Sequence, residues 1–546
     1  MFIKINAFLT KYENWLIVLL MCAFILVNVQ GLTWGLPNYW NVDELVQYAD
    51  VALREGRPNF DETADLSYPS LPKYVMYGLG KVVYGLGYST KVFRYAARLL
   101  SVLLGTGILF WVYKITRAAG SKALTALMSA LLTMTLAELS LNAHFAHNDV
   151  YVALFSLLAV FLLLRYRKTA NRSVLYAAFF TIGLAASSKY PAVFLVLAGL
   201  AVWLLTKGKT LFQEKLRTLE TLFISACLSF FGFAVGTPKS LLWMAAYFGN
   251  IPHTLYLLSN YNRTEATTIG FVRQWGVLQY MLGTPVFVLV ILALLACLVF
   301  FLAPIFVKKT NLPKPSEAIT VILIASLALD LPMMLSYDIK SRFFLSVALL
   351  LFILASLLVE LTVTSLLEPK LHAVSVGLEA GILLVILYSA LRVASTILLF
   401  ENDARIAAGA YLKTLPYHST LEYTLYPPIL PLDYFYLHTY PIDIIKYPDE
   451  VVPILEDERY RYNQGEAGLL NRHPDYFVVD NFTYDRFQDE LVCEWNQVEC
   501  DFFTRLLAGE TDYTLIATFT YTLPDYLPNI NMSFLNPEIR VYQREY

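Results

Sequence analysis

Charge is scarce in this chain. Asp, Glu, Lys and Arg make up 15% of its 546 residues, and 41 basic against 43 acidic side chains leave a formal charge of −2. A nucleic-acid partner held by phosphate attraction asks for a basic face, so that class is excluded. Cysteine is rarer still: of five residues, Cys22, Cys227 and Cys297 lie inside apolar runs, where packing is their expected role. The segment after Phe400 has no P-loop, dinucleotide glycine fingerprint, nucleophile elbow or zinc spacing. The first apolar run ends in Trp34, Gly35 and Pro37 without a small-residue cleavage pattern. A retained helix is expected there rather than a signal peptide.

Apolar length is what the chain has in abundance, with 57% of its residues hydrophobic. Crossing a hydrocarbon core takes about 20 mostly apolar residues as a helix. Segments of that kind fall at 15–36, 92–116, 121–142, 148–164, 173–187, 190–206, 216–237, 276–306, 316–336, 341–366 and 371–399. The expected fold is a polytopic α-helical membrane protein of about eleven transmembrane helices over 1–400, with a small C-terminal α/β domain over 401–546. Strand-like runs in that domain are DYFVVD at 475–480, TLIATFTY at 514–521 and EIRVYQR at 538–544.

Basic residues mark every second loop: Lys4/Lys11, Lys114/Arg117/Lys122, Arg165/Arg167/Lys168/Arg172, Lys207/Lys209/Lys215/Arg217 and Lys308/Lys309/Lys314, then Lys370. By the positive-inside rule these are cytoplasmic. The acidic first loop, 37–91, and the C-terminal domain then lie outside. In that domain Cys493 and Cys500, spaced CEWNQVEC, either pair in an oxidising compartment or stay as free thiols.

Chemistry-bearing residues gather on the expected outer side. Asn41 stands three residues before Glu44, a capping-box spacing that predicts an amphipathic helix with Asp43 in its first turn. The acidic pair then either complements the helix dipole or does chemistry. Arg94 and Arg98 are one helical turn apart and leave one face, to meet an anion or lipid headgroups. His144, His147 and Asp149, in NAHFAHNDVY, offer either metal ligands or helix caps. Lys189 stands alone in SSKYP, and Asp338, Lys340 and Arg342 lie in SYDIKSRFF. Acids and bases on the outer rim of a helical bundle suit an anionic, lipid-borne substrate.

The order of these motifs resembles the GT-C membrane glycosyltransferases of family 39, the protein O-mannosyltransferase and lipid A aminoarabinose transferase type. VDELVQYA, YPSLPKYVMYGLG, FRYAARLLSVLLG, HFAHNDVYVALFSLLAVFLLLRY, GLAASSKYPAVFLVL and SYDIKSRFFLSVALLL follow one another over about 40–360, and NPEIRVYQR ends the outer domain. The resemblance implies transfer of a sugar from a polyprenyl-phosphate donor, with no nucleotide, to an acceptor glycan, lipid or protein in a bacterial or archaeal cell membrane. It implies Asp43 as general base, and Arg342 and Lys189, then Arg94, Arg98 and Lys73, as ligands of the lipid phosphate. A divalent cation, Mg or Mn, would be held by Glu44, His144, His147 or Asp149. The chain departs from the pattern at Tyr68-Pro69-Ser70-Leu71, where many relatives carry two adjacent prolines, often after Lys or His; Lys73 stands in for that lysine. The WWDYG signature of oligosaccharyltransferases is absent. A transporter, for which Asp330 and Glu379 inside spans would speak, and a non-catalytic assembly protein on the same scaffold are the alternatives.

Overall fold

The structure, a computed structural model, describes residues 2–58, 60, 68–208, 213–249, 270–306, 316–336, 339–364, 372–430, 436–439, 465–494 and 496–545. Lys209, Lys308, Lys309, Lys314, Asp338 and Lys370 lie outside the described residues, and so does the side chain of Glu379. The chain is an integral membrane protein, and it divides into two compact units. One holds Met1–Leu32 with most of the chain from Asp43 to Ala394, and the other holds Thr33–Val42 with Ser395–Tyr546.

Among the described residues each expected apolar segment contains helix, though the first, expected to run to 36, ends at Asn28. Helices α1 (Phe2–Asn28), α4 (Thr90–Ala118), α7 (Asp149–Thr169) and α9 (Leu195–Lys207) are joined by α10 (Lys215–Gly236), α13 (Glu317–Leu335), α14 (Leu345–Thr362) and α15 (His372–Glu401). Among the described residues nine helices are long and apolar enough to cross a membrane, ten if a bent pair is one span. That pair is α5 (Ala123–Met134) with α6 (Ala137–Ala143), bent by 59°. Its break has a cause: Ser389 Oγ donates to the Thr135 carbonyl at 2.6 Å, and the Thr135 hydroxyl turns back on the Leu131 carbonyl at 3.0 Å. The first gives the Thr135 carbonyl a partner outside the helix ladder, and the second is a back-bond of the kind that bends helices. Helix α8 (Arg172–Ala186) is shorter than a full span. The 276–306 run is two helices, α11 (Gly270–Leu282) and α12 (Thr284–Phe306), separated at Gly283, whose φ is +76°.

Small residues let α8 and α10 approach closely, as membrane helices do when no water drives them together. A Cβ on Gly183 would strike the Ser229 carbonyl, and one on Gly232 the Phe180 carbonyl. Between α1 and α4 lie two shorter helices, α2 (Val46–Glu55) and α3 (Leu71–Gly85).

The second unit is built on a five-stranded sheet of order β2-β1-β3-β5-β4, with β1 (Thr420–Tyr423), β2 (Tyr436–Thr439), β3 (Tyr476–Asp480), β4 (Tyr513–Phe519) and β5 (Ile539–Arg544). β1 pairs in parallel with β2 and β3, and β5 pairs antiparallel with β3 and β4. β3 is buried throughout, and its side chains alternate between two cores. Phe477 and Val479 pack with Phe502, Phe503 and Leu506 of α17 (Gln497–Ala508). Tyr476 and Val478 face Ala408 and Leu412 of α16 (Ala404–Leu412). Cys493 and Cys500 are disulfide-bonded.

Candidate functional site

Asp43 and Glu44 are adjacent, and the fold sends them apart. Glu44 turns inward, where Arg98 Nε and Nη2 donate to its two oxygens at 2.9 and 2.8 Å and the Ala146 amide donates to Oε1 at 2.9 Å. The Leu45 amide in turn donates to the Ala146 carbonyl at 2.9 Å. These bonds stitch residues 44–45 to 146, so α2 begins only at Val46, with no side-chain cap at its N-terminus. The expected capping box is therefore not formed, and Asp43 is not in the first turn of a helix. It stands beside His147 instead.

Two cations reach the same place from the starts of two spans. Lys189 ends an extended residue just before a 3-10 turn, Tyr190–Phe194, that opens α9, and Arg342 lies in the 3-10 turn Ser341–Phe344 that opens α14. Arg342 Nη2 donates to Asp43 Oδ2 at 2.8 Å. Lys189 Nζ donates to Asp149 Oδ1 at 2.6 Å, and the other oxygen of Asp149 lies 2.8 Å from His147 Nδ1. The Phe343 ring sits 3.9 Å from Lys189 Nζ and 5.6 Å from the Arg342 guanidinium carbon, giving both cations a π face. Lys189, Arg342 and Asp149 line one cavity whose wall includes Val152, Leu329 and Met333. A lining that combines charged and aliphatic side chains suits an amphiphile.

Burial would raise the Asp43 carboxyl, but the Arg342 guanidinium, aided by Lys340, outweighs it and holds the group below its ordinary value. The cation opposite, not a helix dipole, keeps this carboxylate ionised. Burial pushes His147 the other way, below its ordinary imidazole value despite Asp149.

Other expected residues are engaged elsewhere. Arg94 and Arg98 do leave one face of α4, but Arg94 Nη2 donates to Asp50 at 2.9 Å, and Arg98, 1% exposed, is held by Glu44 and the Leu32 carbonyl. Lys73 is buried, its ammonium 4.5 Å from the centre of the Tyr48 ring. His144 has a carbonyl oxygen 2.7 Å from each ring nitrogen, those of Ser140 and Gln30, and burial lowers its pKa to about 4. The expected metal set is thus dispersed: Glu44 is taken by Arg98, His144 by carbonyls, and His147 and Asp149 by each other. Among the described residues no three His, Cys, Asp or Glu are grouped to hold a metal ion.

Glu138 was not among the expected residues. It is buried on α6, accepts from Asn142 Nδ2 at 3.0 Å and from Ser341, and lies within the electrostatic reach of Arg342 and Asp149. A lone acid inside an apolar run was its signal.

The family model described as Dolichyl-phosphate-mannose-protein mannosyltransferase matches residues 77–261, which meets the resemblance to family 39 over about a third of the chain. No curated protein matches. Among solved structures the chain is similar to ArnT from Cupriavidus metallidurans bound to undecaprenyl phosphate, at 15% identity over 97% of this chain and 98% of that one, with a TM-score of 0.47. It is also similar to the Archaeoglobus fulgidus oligosaccharyltransferase tethered with an acceptor peptide, at 13% identity over 96% and 75% of the two chains and a TM-score of 0.49. A further structure of that oligosaccharyltransferase is a complex with Zn and sulfate, at 12% identity over 90% and 71% of the chains and a TM-score of 0.46.

Proposed function

We propose that the chain is a membrane glycosyltransferase that moves a sugar from a polyprenyl-phosphate carrier to an acceptor hydroxyl on a protein, lipid or glycan at the outer face, inverting the anomeric centre. The observation that carries this reading is the pairing of Asp43 with Arg342 beside a cavity that Lys189 and Arg342 share with aliphatic side chains. The family match supports it, since its description names a lipid-phosphate sugar; the matched residues include Lys189 but neither Asp43 nor Arg342.

The chemistry divides between these groups. As the acceptor oxygen bonds to the anomeric carbon, its hydroxyl must lose a proton, and an ionised carboxylate is the group to take it: Asp43. The bond from that carbon to the carrier phosphate breaks on the opposite face, which is why the centre inverts. Negative charge grows on the departing phosphate, and Lys189 and Arg342 answer it with fixed cations in a site walled by apolar side chains. The proton taken from the acceptor is matched in the products by the extra charge on the released polyprenyl phosphate. No step is assigned to Mg or Mn, because Glu44 is held by Arg98, His144 by backbone carbonyls, and His147 and Asp149 by each other.

The full-length chain in liposomes, supplied with polyprenyl-phosphate mannose, a panel of other polyprenyl-phosphate sugars and hydroxyl-bearing peptides, lipids and glycans as acceptors, tests the reading. Release of polyprenyl phosphate from one donor supports it. Release from none of them contradicts it.

A further inference from the structure

His147 is 2% exposed, and its imidazole is held on one side only. Nδ1 lies 2.8 Å from Asp149 Oδ2, while the other oxygen of that carboxylate takes the Lys189 ammonium at 2.6 Å. A carboxylate so placed can only accept, so the hydrogen of a neutral ring sits on Nδ1. Burial favours that neutral form. The lone pair of the ring is then on Nε2, which is itself buried and has no hydrogen-bond partner among the described residues. The Tyr68 ring packs edge-on at 5.5 Å between centroids and fixes the plane of the imidazole, but it offers no bond to that nitrogen.

A buried acceptor left unsatisfied costs free energy, and native proteins keep few of them. This one is oriented by a carboxylate, stands beside Asp43, and belongs to the same cluster as Lys189 and Arg342. The neighbouring cations disfavour a metal ion there and leave a neutral donor as the fitting partner.

We infer that Nε2 of His147 accepts a hydrogen bond from a hydroxyl of the substrate, making His147 a substrate-binding residue. This rests on the transferase reading above. The hydroxyl belongs either to the transferred sugar or to the acceptor, and the two sources are separable.

Asn and Gln divide the imidazole between them. The amide of Asn reaches the position of Nδ1 and keeps the contact to Asp149, whereas the longer Gln brings an amide oxygen to the position of Nε2. His147→Asn and His147→Gln are compared in the full chain in liposomes, with polyprenyl-phosphate mannose as donor, or whichever panel donor the wild type cleaves. The expected result is a fall in kcat/KM of about tenfold or more for Asn and recovery to within about threefold of wild type for Gln. Binding of bare undecaprenyl phosphate stays as in wild type for both, which shows that each variant is folded. If slow cleavage by water falls along with transfer, the hydroxyl is the sugar's; if only transfer falls, it is the acceptor's. Wild-type turnover in the Asn variant with loss in the Gln variant would overturn the inference, because the contact to Asp149 would then be all that matters. A wild type that neither binds undecaprenyl phosphate nor cleaves any donor fails the transferase reading first, before any variant is made, and takes this inference with it.

Discussion

Arg342 Nη2 donates to Asp43 Oδ2 at 2.8 Å across 299 residues of chain. The bond joins the first loop to the start of a late span, and it sets the acidity of the proposed base. Lys340 adds a weaker pull from solvent.

Because the Asp43 carboxyl lies below its ordinary value, near 4 for a free aspartate, it stays ionised as pH falls into the range where a free carboxyl would protonate. The acid limb of the rate profile should therefore lie below that value. Lys340→Gln removes one of the cations holding the group down, so the limb should move to higher pH, while Lys340→Arg should leave it in place. A pH profile of kcat/KM for the three proteins checks this; an acid limb unmoved by loss of Lys340 would contradict it.

Arg98 and Glu44 are each buried and each complete the other. Removing one partner leaves a charge buried without compensation. Arg98→Ala and Glu44→Ala should each cost about 3–5 kcal/mol, and the double change Arg98→Met with Glu44→Met should recover much of the loss. Thermal unfolding in detergent reads this. Had Arg98 been a phosphate ligand, Arg98→Ala would instead weaken undecaprenyl phosphate binding and leave the melting temperature alone.

Gly183 meets the Ser229 carbonyl across the α8 and α10 contact, whereas a Cβ on Gly78 of α3 would meet nothing within 4 Å. Gly183→Ala should lower the melting temperature by forcing two helix backbones apart. Gly78→Ala should hold or raise stability, by about 0.5–1 kcal/mol, through the entropy a helix interior loses at glycine. Equal effects at the two positions would contradict the packing described.

The spans and the cations between them were legible because each is a local signal. Apolar length marks a helix whatever surrounds it, and Lys189 and Arg342 stood out as charges between apolar runs. Partners were not legible. Helical spacing put Arg94 and Arg98 on one face correctly, but Asp50 and Glu44 come from α2 and the turn before it, and nothing in a window of sequence announces that pairing. The capping box failed for the same reason, since Glu44 is drawn to Arg98 and the Ala146 amide rather than to its own backbone. In the C-terminal unit β3, β4 and β5 lie in short runs rich in β-branched and aromatic residues, which showed them. β1, four residues in TLEY beside a Pro- and Tyr-rich stretch, depends on its pairing with β3.

The central claim is that Asp43 takes the proton of the acceptor hydroxyl, and Asp43→Asn tests it most directly in the full chain in liposomes. Sugar transfer should fall by about 10²–10⁴-fold while undecaprenyl phosphate still binds. Transfer at the wild-type rate by that variant would contradict it.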